Sequence, residues 1–455
     1  MDWAAVLEAQ RGYFRSGKTL SYDFRRSELE KLARIIRERE SSINQALEAD
    51  LGKSSFEAYA SEIGFLRAEV RYALENLADW MRPERVSSGI ALFPASSRIE
   101  REPRGVVLVI APWNFPLQLT LGPWVGALAA GNCAILKPSE VAPHTSTLIA
   151  EVLGENFAKE LVAVATGGPE TSQALLRLRF DHVLFTGSVA VAREVATAAA
   201  KNLTPVTLEL GGKNPAIVDR DCDLPLAARR IAWAKFMNAG QTCIAPDFLL
   251  VPEERRGFVV SEIALNVRRF FGEDPRKSPD YGRIVSQRHF DRLSSHLGHG
   301  RVVLGGERER GRLYMAPTLL EDVPLDSPPL EEEIFGPILP VVPYRKLEGA
   351  IEIARRHPDP LALYVFSNRA EVQKRVLREV PSGGAAVNDA MLQFMNPRLP
   401  FGGRGTSGMG HYHGRFGFEL FSHRKAVVQG SRFLDIPLRY PPYRGKLRWL
   451  KKLLR

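Results

Sequence analysis

The chain has 455 residues, 45% of them hydrophobic and 25% charged, which is the composition of a soluble globular protein and a length that calls for more than one core. Its formal net charge is +10, but Arg444, Lys446, Arg448, Lys451, Lys452 and Arg455 supply six of those charges in a stretch, 441–455, that holds no acid; the remaining body is too near neutrality for a nucleic-acid-binding protein. The three cysteines, Cys133, Cys222 and Cys243, do not make a disulfide framework and point to a reducing, cytoplasmic compartment, and no apolar run reaches the roughly 18 residues of a membrane-spanning helix.

Residues 1–80 read as helical, because Leu29, Leu32, Ile35 and Ile36 recur at helix spacing, as do Ile63, Leu66 and Val70. Pro83 ends that pattern, and a polar, Ser-rich stretch runs to Ser97. Val106-Val107-Leu108-Val109-Ile110 then forms the continuous apolar run of a strand buried on both faces. Ala134-Ile135-Leu136 and Val183-Leu184-Phe185 repeat it, with helix-like segments between, which predicts a parallel α/β sheet. A second series, Phe248-Leu249-Leu250-Val251, Arg301-Val302-Val303-Leu304 and Leu339-Pro340-Val341-Val342, predicts a second α/β domain. Beyond Pro397 the chain is rich in Gly, His and Phe and reads as loops and contacts, not a third core.

The chemistry-bearing segments sit at the ends of these runs. Pro112-Trp113-Asn114-Phe115-Pro116 follows the first strand, where ligand sites of open α/β sheets lie. Asn114 offers an amide donor that could hold an oxyanion, worth about 3 kcal/mol in a barrier, but Asn between prolines is also a common turn residue. Lys137-Pro138-Ser139-Glu140 closes the next run; it fits either ribose hydroxyls or a solvated turn. Phe185-Thr186-Gly187-Ser188 precedes a helix-like segment, and a Gly there lets backbone approach a phosphate at a helix N-terminus, although no G-x-G-x-x-G accompanies it. Glu209-Leu210-Gly211-Gly212-Lys213 supplies a carboxylate, and Asn238-Ala239-Gly240-Gln241-Thr242-Cys243 supplies a thiol in a polar turn: a nucleophile and a base, provided the fold joins them. Glu331-Glu332-Glu333-Ile334-Phe335-Gly336-Pro337 reads as a charge run or as a ribose-binding acid beside a packing ring. His411 and His413 lack a third ligand at metal spacing, so no metal site is expected.

Taken in order, these segments resemble the NAD(P)-dependent aldehyde dehydrogenase superfamily, and its class 3 branch, which includes the fatty aldehyde dehydrogenases, is the nearest in look. Leu203-Thr204-Pro205-Val206-Thr207-Leu208-Glu209, Arg230-Ile231-Ala232-Trp233-Ala234-Lys235-Phe236-Met237-Asn238, and Phe401-Gly402-Gly403 leading to Ser407-Gly408-Met409-Gly410 carry that likeness. The resemblance implies an α/β fold of two doubly wound domains, a Rossmann-like cofactor domain and a catalytic domain, plus a small oligomerisation segment. The expected division is 1–81 with 100–208 for the dinucleotide, 209–395 for catalysis, 82–99 with 396–440 as bridging segments, and 441–455 as a basic amphipathic tail.

The same resemblance implies Cys243 as nucleophile, Asn114 and the Cys243 backbone N–H as oxyanion donors, and Glu209 as the base that activates water. Trp113, Lys137, Glu140, Gly187, Ser188, Leu210, Gly211, Glu333 and Phe335 are implied to hold the cofactor, NAD first and NADP also, since Glu140 accepts from a free 2′-hydroxyl and repels a 2′-phosphate. Ala192 stands where family members often have Gly, which implies an altered fit. The expected reaction is oxidation of a medium- or long-chain aliphatic aldehyde to the acid through a thiohemiacetal and a thioester; aromatic aldehydes, or a thiol esterase without redox activity, are the alternatives. A homodimer is expected from the family. Leu447, Leu450, Leu453 and Leu454 recur at helical spacing beside Trp449, between the cations, so 443–455 suits either the inner surface of an anionic bilayer or a protein surface.

Overall fold

The computed structural model describes residues 1–453; Leu454 and Arg455, both counted in the expected tail, lie outside the described residues. The N-terminal part is helical: Trp3–Arg15, Tyr22–Glu38, Glu40–Leu51, and Ser55–Ala58 running through a π-helical turn, Tyr59–Ile63, into Gly64–Met81. Its stripe of Leu29, Leu32, Ile35, Ile36, Leu66, Val70 and Leu77 is buried and the helices that carry it pack against Pro116–Ala130. That central helix starts with Pro at its first turn and is buried on every face, as a helix apolar all round must be.

Six strands form the first sheet, in the order Gly408–Met409, Val206–Glu209, His182–Thr186, Val106–Ile110, Cys133–Lys137, Val162–Val164; all neighbours are parallel except the short first pair. Chain order reverses between Val106–Ile110 and His182–Thr186, so the crevice of a doubly wound sheet opens where 111–116 and Gly187-Ser188 leave their strands. The second sheet has seven strands, ordered Arg301–Leu304, Thr318–Glu321, Ile338–Tyr344, Phe248–Pro252, Pro215–Val218, Ala362–Phe366, Gly384–Val387, antiparallel only at its first pair. Both predicted α/β series are therefore sheets buried between helices.

The link between them sets the site. Glu209 ends a strand of the first sheet, and Pro215 begins a strand of the second. Residues 210–214 thus bring the C-terminal edge of one sheet to the N-terminal edge of the other. Cys243 precedes Phe248, which pairs with Pro215, so the thiol loop lies on that same edge.

The stretch beyond Pro397 departs from expectation. Ser422–Gln429 is a strand paired along its whole length with Ser96–Pro103, which also pairs with Glu84–Val86. Its sequence, Ser-His-Arg-Lys-Ala-Val-Val-Gln, has no apolar alternation because most of it faces solvent, so periodicity does not reveal it. Backbone pairing and the Lys425–Glu102 contact at 2.5 Å hold it. Ser96–Pro103 also runs across the boundary expected at residue 99.

Candidate active site

Lys137 ends its strand buried, and its ammonium lies 2.5 Å from Glu140 Oε2 and donates to the Pro138 carbonyl at 3.2 Å. The register pairs Ile110 with both Lys137 and Phe185, and Thr186 with Glu209. Lys137, the 111–116 turn, Gly187-Ser188 and Glu209 therefore line one edge in that order. Ser188 caps the helix Val189–Lys201, accepting from the Val191 N–H at 3.5 Å, and Ala192 is buried beneath that first turn. Trp113 meets Phe335 edge-on with centroids 5.3 Å apart and His289 at 4.9 Å, forming an aromatic wall across the crevice.

The thiol loop is held by its own polar side chains. Asn238, Ala239 and Gly240 all take left-handed backbone angles, φ 51°, 50° and 74°. Gly240 could hardly be another residue, since a Cβ there would stand 2.2 Å from the Gly336 carbonyl oxygen. Gln241 ties the turn down: its amide donates to Asn238 O at 3.0 Å and Arg283 O at 2.9 Å, and its Oε1 accepts from Val285 N at 2.9 Å. Asn214 donates to the carbonyls of Cys243, at 2.7 Å, and Ala245, at 3.1 Å.

Asn114 is equally fixed. Its backbone carbonyl accepts from Lys53 Nζ at 3.0 Å and Asn238 Nδ2 at 2.9 Å. Its side-chain amide donates to Gln241 O at 3.1 Å, which uses one of its two N–H groups. Lys53 is fully buried and paired at 2.5 Å with Glu62, whose other oxygen accepts the N–H groups of Leu117 and Gln118 at 2.9 and 3.2 Å. A buried ion pair thus caps the N-terminus of the helix Pro116–Ala130 and aims Asn114 at the thiol loop.

Glu209 is buried, and neither carboxylate oxygen has a protein partner. Burial pushes its pKa well above the ordinary carboxylate range. Glu333 lies directly on the link: a Cβ on Gly211 would stand 2.1 Å from both of its oxygens, so a side chain there would displace the Glu333 carboxylate. Burial, with Asp247 adding to it, pushes Glu333 up to about 8. Leu210 is buried and donates its N–H to Ser407 O at 3.0 Å. Burial, with the charges of Glu333 and Glu209, pushes the Cys243 thiol up to about 12, while its own N–H and that of Ile244 act in the opposite direction.

The sequence-predicted residues therefore gather at one place: Cys243, Glu209, Asn114, Leu210, Gly211 and Glu333 around the link, Trp113 and Phe335 beside it, and Gly187, Ser188, Lys137 and Glu140 along the crevice. Sequence reasoning missed the groups that hold them, namely Lys53, Glu62, Asn214, Asn238, Gln241 and Asp247. Lys213, quoted only as part of its motif, pairs with Asp247 and donates to Pro329 O at 2.6 Å and Glu332 O at 2.8 Å. A Lys directly after two glycines and before a buried strand is the one signal that could have found it.

A cavity of about 360 Å³ opens onto Cys243, Glu209 and Thr186. Phe65, Phe115, Leu119, Met237, Met391 and Phe401 are among its walls, with Phe56, 80% exposed, and Met395, 57% exposed, reaching the surface. The residues around the crevice also suit a dinucleotide: a carboxylate and a lysine at one end, helix N–H groups in the middle, and at the other a half-buried Glu333 whose Oε1 has no protein partner.

The family model described as "Aldehyde dehydrogenase family" matches residues 2–427. The chain is 44% identical over 443 residues to the 4,4'-diaponeurosporen-aldehyde dehydrogenase of Staphylococcus aureus, covering 97% of this chain and 96% of that one. It is 47% identical over 445 residues to a protein of Rattus norvegicus called "Aldehyde dehydrogenase, dimeric NADP-preferring", covering 97% and 98%. A structure described as the substrate-bound state of Staphylococcus aureus AldH superposes with a TM-score of 0.98 at 42% identity, over the whole of both chains.

A thiol with its pKa raised to about 12 is almost wholly protonated at neutral pH and ionises progressively as pH rises. Iodoacetamide alkylation of Cys243 in the cofactor-free protein, followed by peptide mass spectrometry, is expected to be slow at pH 7 and to climb without a plateau through pH 9. A plateau below pH 8 would contradict this.

Proposed function

The chain belongs to the aldehyde dehydrogenase family and is an NAD(P)-dependent enzyme that oxidises aldehydes to carboxylic acids; we propose that its substrates are medium- and long-chain aliphatic aldehydes and that Cys243, Glu209 and Asn114 carry the reaction. The observation that supports this most is the single cavity in which a thiol and a partnerless carboxylate meet apolar walls that run to the surface. Its volume lies within the roughly 300–1,000 Å³ of small-molecule sites, and its aromatic and Met walls favour a hydrocarbon chain. The named substrate of the Staphylococcus aureus relative, a diaponeurosporen aldehyde, agrees with a long apolar chain.

In this reading the Cys243 sulfur adds to the aldehyde carbon and gives a tetrahedral thiohemiacetal. The second N–H of the Asn114 amide and the backbone N–H of Cys243 hold the oxyanion; a preorganised donor is worth about 3 kcal/mol in the barrier. Lys53 and Asn238 keep Asn114 in place. Lys137, Glu140, Ser188, Glu333, Phe335 and Trp113 would hold the dinucleotide, with Gly187, Leu210 and Gly211 giving it room. When bound, the oxidised nicotinamide supplies a hydride acceptor and a fixed positive charge. Glu209 then takes a proton from water, which hydrolyses the thioester at Cys243. Because its pKa is raised, Glu209 gains its basic form as pH increases, so hydrolysis is expected to speed up with pH. Glu140, at the exposed end of the crevice, supports NAD as the better cofactor, with NADP accepted.

We further propose the division expected from the sequence, as a cofactor body, a catalytic body and a three-stranded dimerisation sheet made of Glu84–Val86, Ser96–Pro103 and Ser422–Gln429. Ser422–Gln429 is the longer of the two edge strands of that sheet, which suits pairing with a second copy, and the rat relative is named as dimeric. Among the described residues no helix is long and apolar enough to cross a membrane. The tail helix Leu447–Leu453 holds Leu447 and Trp449 at 61% and 55% exposure beside Lys451 and Lys452, which supports peripheral contact with an anionic bilayer.

Cys243→Ala is expected to lower NAD(P)H production with decanal more than about 1,000-fold, and Glu209→Gln to slow steady-state turnover while sparing the first burst of reduced cofactor. Stopped-flow absorbance checks both; near-normal turnover in either variant would defeat the assignment. In liposome flotation with anionic vesicles, the full chain is expected to float and a chain ending at Pro441 to remain soluble. Equal soluble fractions would remove the membrane contact.

A further inference from the structure

Beside Cys243, buried polar atoms with no protein partner converge on one part of the cavity: both oxygens of Glu209, Thr186 Oγ1, Gln118 Nε2 and the Tyr412 hydroxyl. A buried polar group without a partner is costly, so several lining one cavity indicate a site built for something that bonds to them. Glu209 accounts for only part of that demand. Tyr412 and Gln118 are both 1% exposed, so bulk solvent does not satisfy them.

Their placement is enforced from the backbone. Gly408–Met409 is hydrogen-bonded to Leu208–Glu209 in antiparallel register, Gly408 opposite Glu209. Tyr412 is then pinned by two backbone bonds to Phe401, at 2.8 and 3.1 Å. Gln118 stands in the first turn of Pro116–Ala130, its N–H held by Glu62 at 3.2 Å. Burial and the charges of Glu209 and Cys243 raise the phenol well above its ordinary pKa, so it remains a donor at any working pH. The Gln118 amide lies close enough to that hydroxyl to act against the shift.

We propose that Tyr412 and Gln118 are positioning residues for thioester hydrolysis, holding the attacking water between them and Glu209. A donor from this pair engages one lone pair of the water and leaves the other free for the thioester carbon, while one water proton turns toward the Glu209 carboxylate. In the step they serve, the water oxygen bonds to the thioester carbonyl carbon, Glu209 takes the proton, and the carbon–sulfur bond breaks to release Cys243 thiolate and the carboxylic acid. The first half-reaction needs neither side chain. This inference rests on Glu209 acting as the base, and the Glu209→Gln variant tests that separately.

The test is stopped-flow NADH formation by Tyr412→Phe with NAD and decanal, alongside the wild type. Phe preserves the ring and its packing and removes only the hydroxyl. The expected result is an initial burst near one NADH per active site at the wild-type rate, followed by a steady state about ten-fold slower. The acid limb of the kcat profile should also move to higher pH, because Glu209 loses a donor near its charged form. Gln118→Met, which keeps the volume and removes the donor, should give the same split and decides the matter if Tyr412→Phe does not fold. Burst and steady state falling together would mean a packing role and overturn the proposal, as would a wild-type kcat with an unmoved pH profile. A wild type that forms no NADH would instead overturn the functional reading itself.

Discussion

The buried ion pair between Lys213 and Asp247 is the contact on which the rest of the site depends. Lys213 follows the two glycines of the link between the sheets, and Asp247 follows the thiol loop. Asp247 accepts from the Ile334 N–H at 3.1 Å, and Lys213 donates to the carbonyls of Pro329 and Glu332. One pair of charges thus joins three segments distant in sequence: the link after Glu209, the turn bearing Cys243, and the turn bearing Glu333 and Phe335. Burial lowers the pKa of Lys213 despite the carboxylates around it, so desolvation outweighs their attraction. Such a pair adds little over an apolar substitute, but removing one partner alone costs about 3–5 kcal/mol. Its contribution is geometric.

A second buried pair works the same way on the opposite wall. Lys53 and Glu62 come from the N-terminal helices, yet they fix the start of the central helix and the carbonyl of Asn114. The N-terminal region is therefore part of the active-site frame. Both frames are made of paired charges, and the reactive groups they surround sit where burial disfavours the charged form. Glu209, Glu333 and Cys243 all have raised pKa values, each chiefly through burial. A site that disfavours its own ionisation responds strongly to a charge brought into it, which suits a reaction that begins by ionising a thiol.

How much of this was legible in the sequence follows from what kind of signal each part leaves. Buried parallel strands leave continuous apolar runs, so Val106–Ile110, Cys133–Lys137 and Phe248–Pro252 could be read directly, and with the first two the strand ends that Asn114 follows and Lys137 closes; Val206–Glu209 was not legible as a strand. Ser422–Gln429 leaves no such run because it is held by backbone pairing and faces solvent. Glu62 is one of a few buried polar residues, with Arg25 and Glu69, in a helical pattern whose polar residues mostly face water, and periodicity cannot mark it. Asn238, Gln241 and Asn214 look like turn residues, and that is what they are; their function comes from which backbone carbonyls the turns present to them. The residues proposed to carry chemistry were visible through their type and place, whereas those that hold them became visible only through contacts.

The account's central claim is that the thiol and the acid beside it share one acyl-transfer site. Intact and peptide mass spectrometry of Glu209→Gln, quenched after mixing with NAD and decanal, tests it most directly. The account predicts a decanoyl adduct on the peptide containing Cys243, absent from Cys243→Ala treated in the same way. No adduct, or one on Cys133 or Cys222, would contradict it.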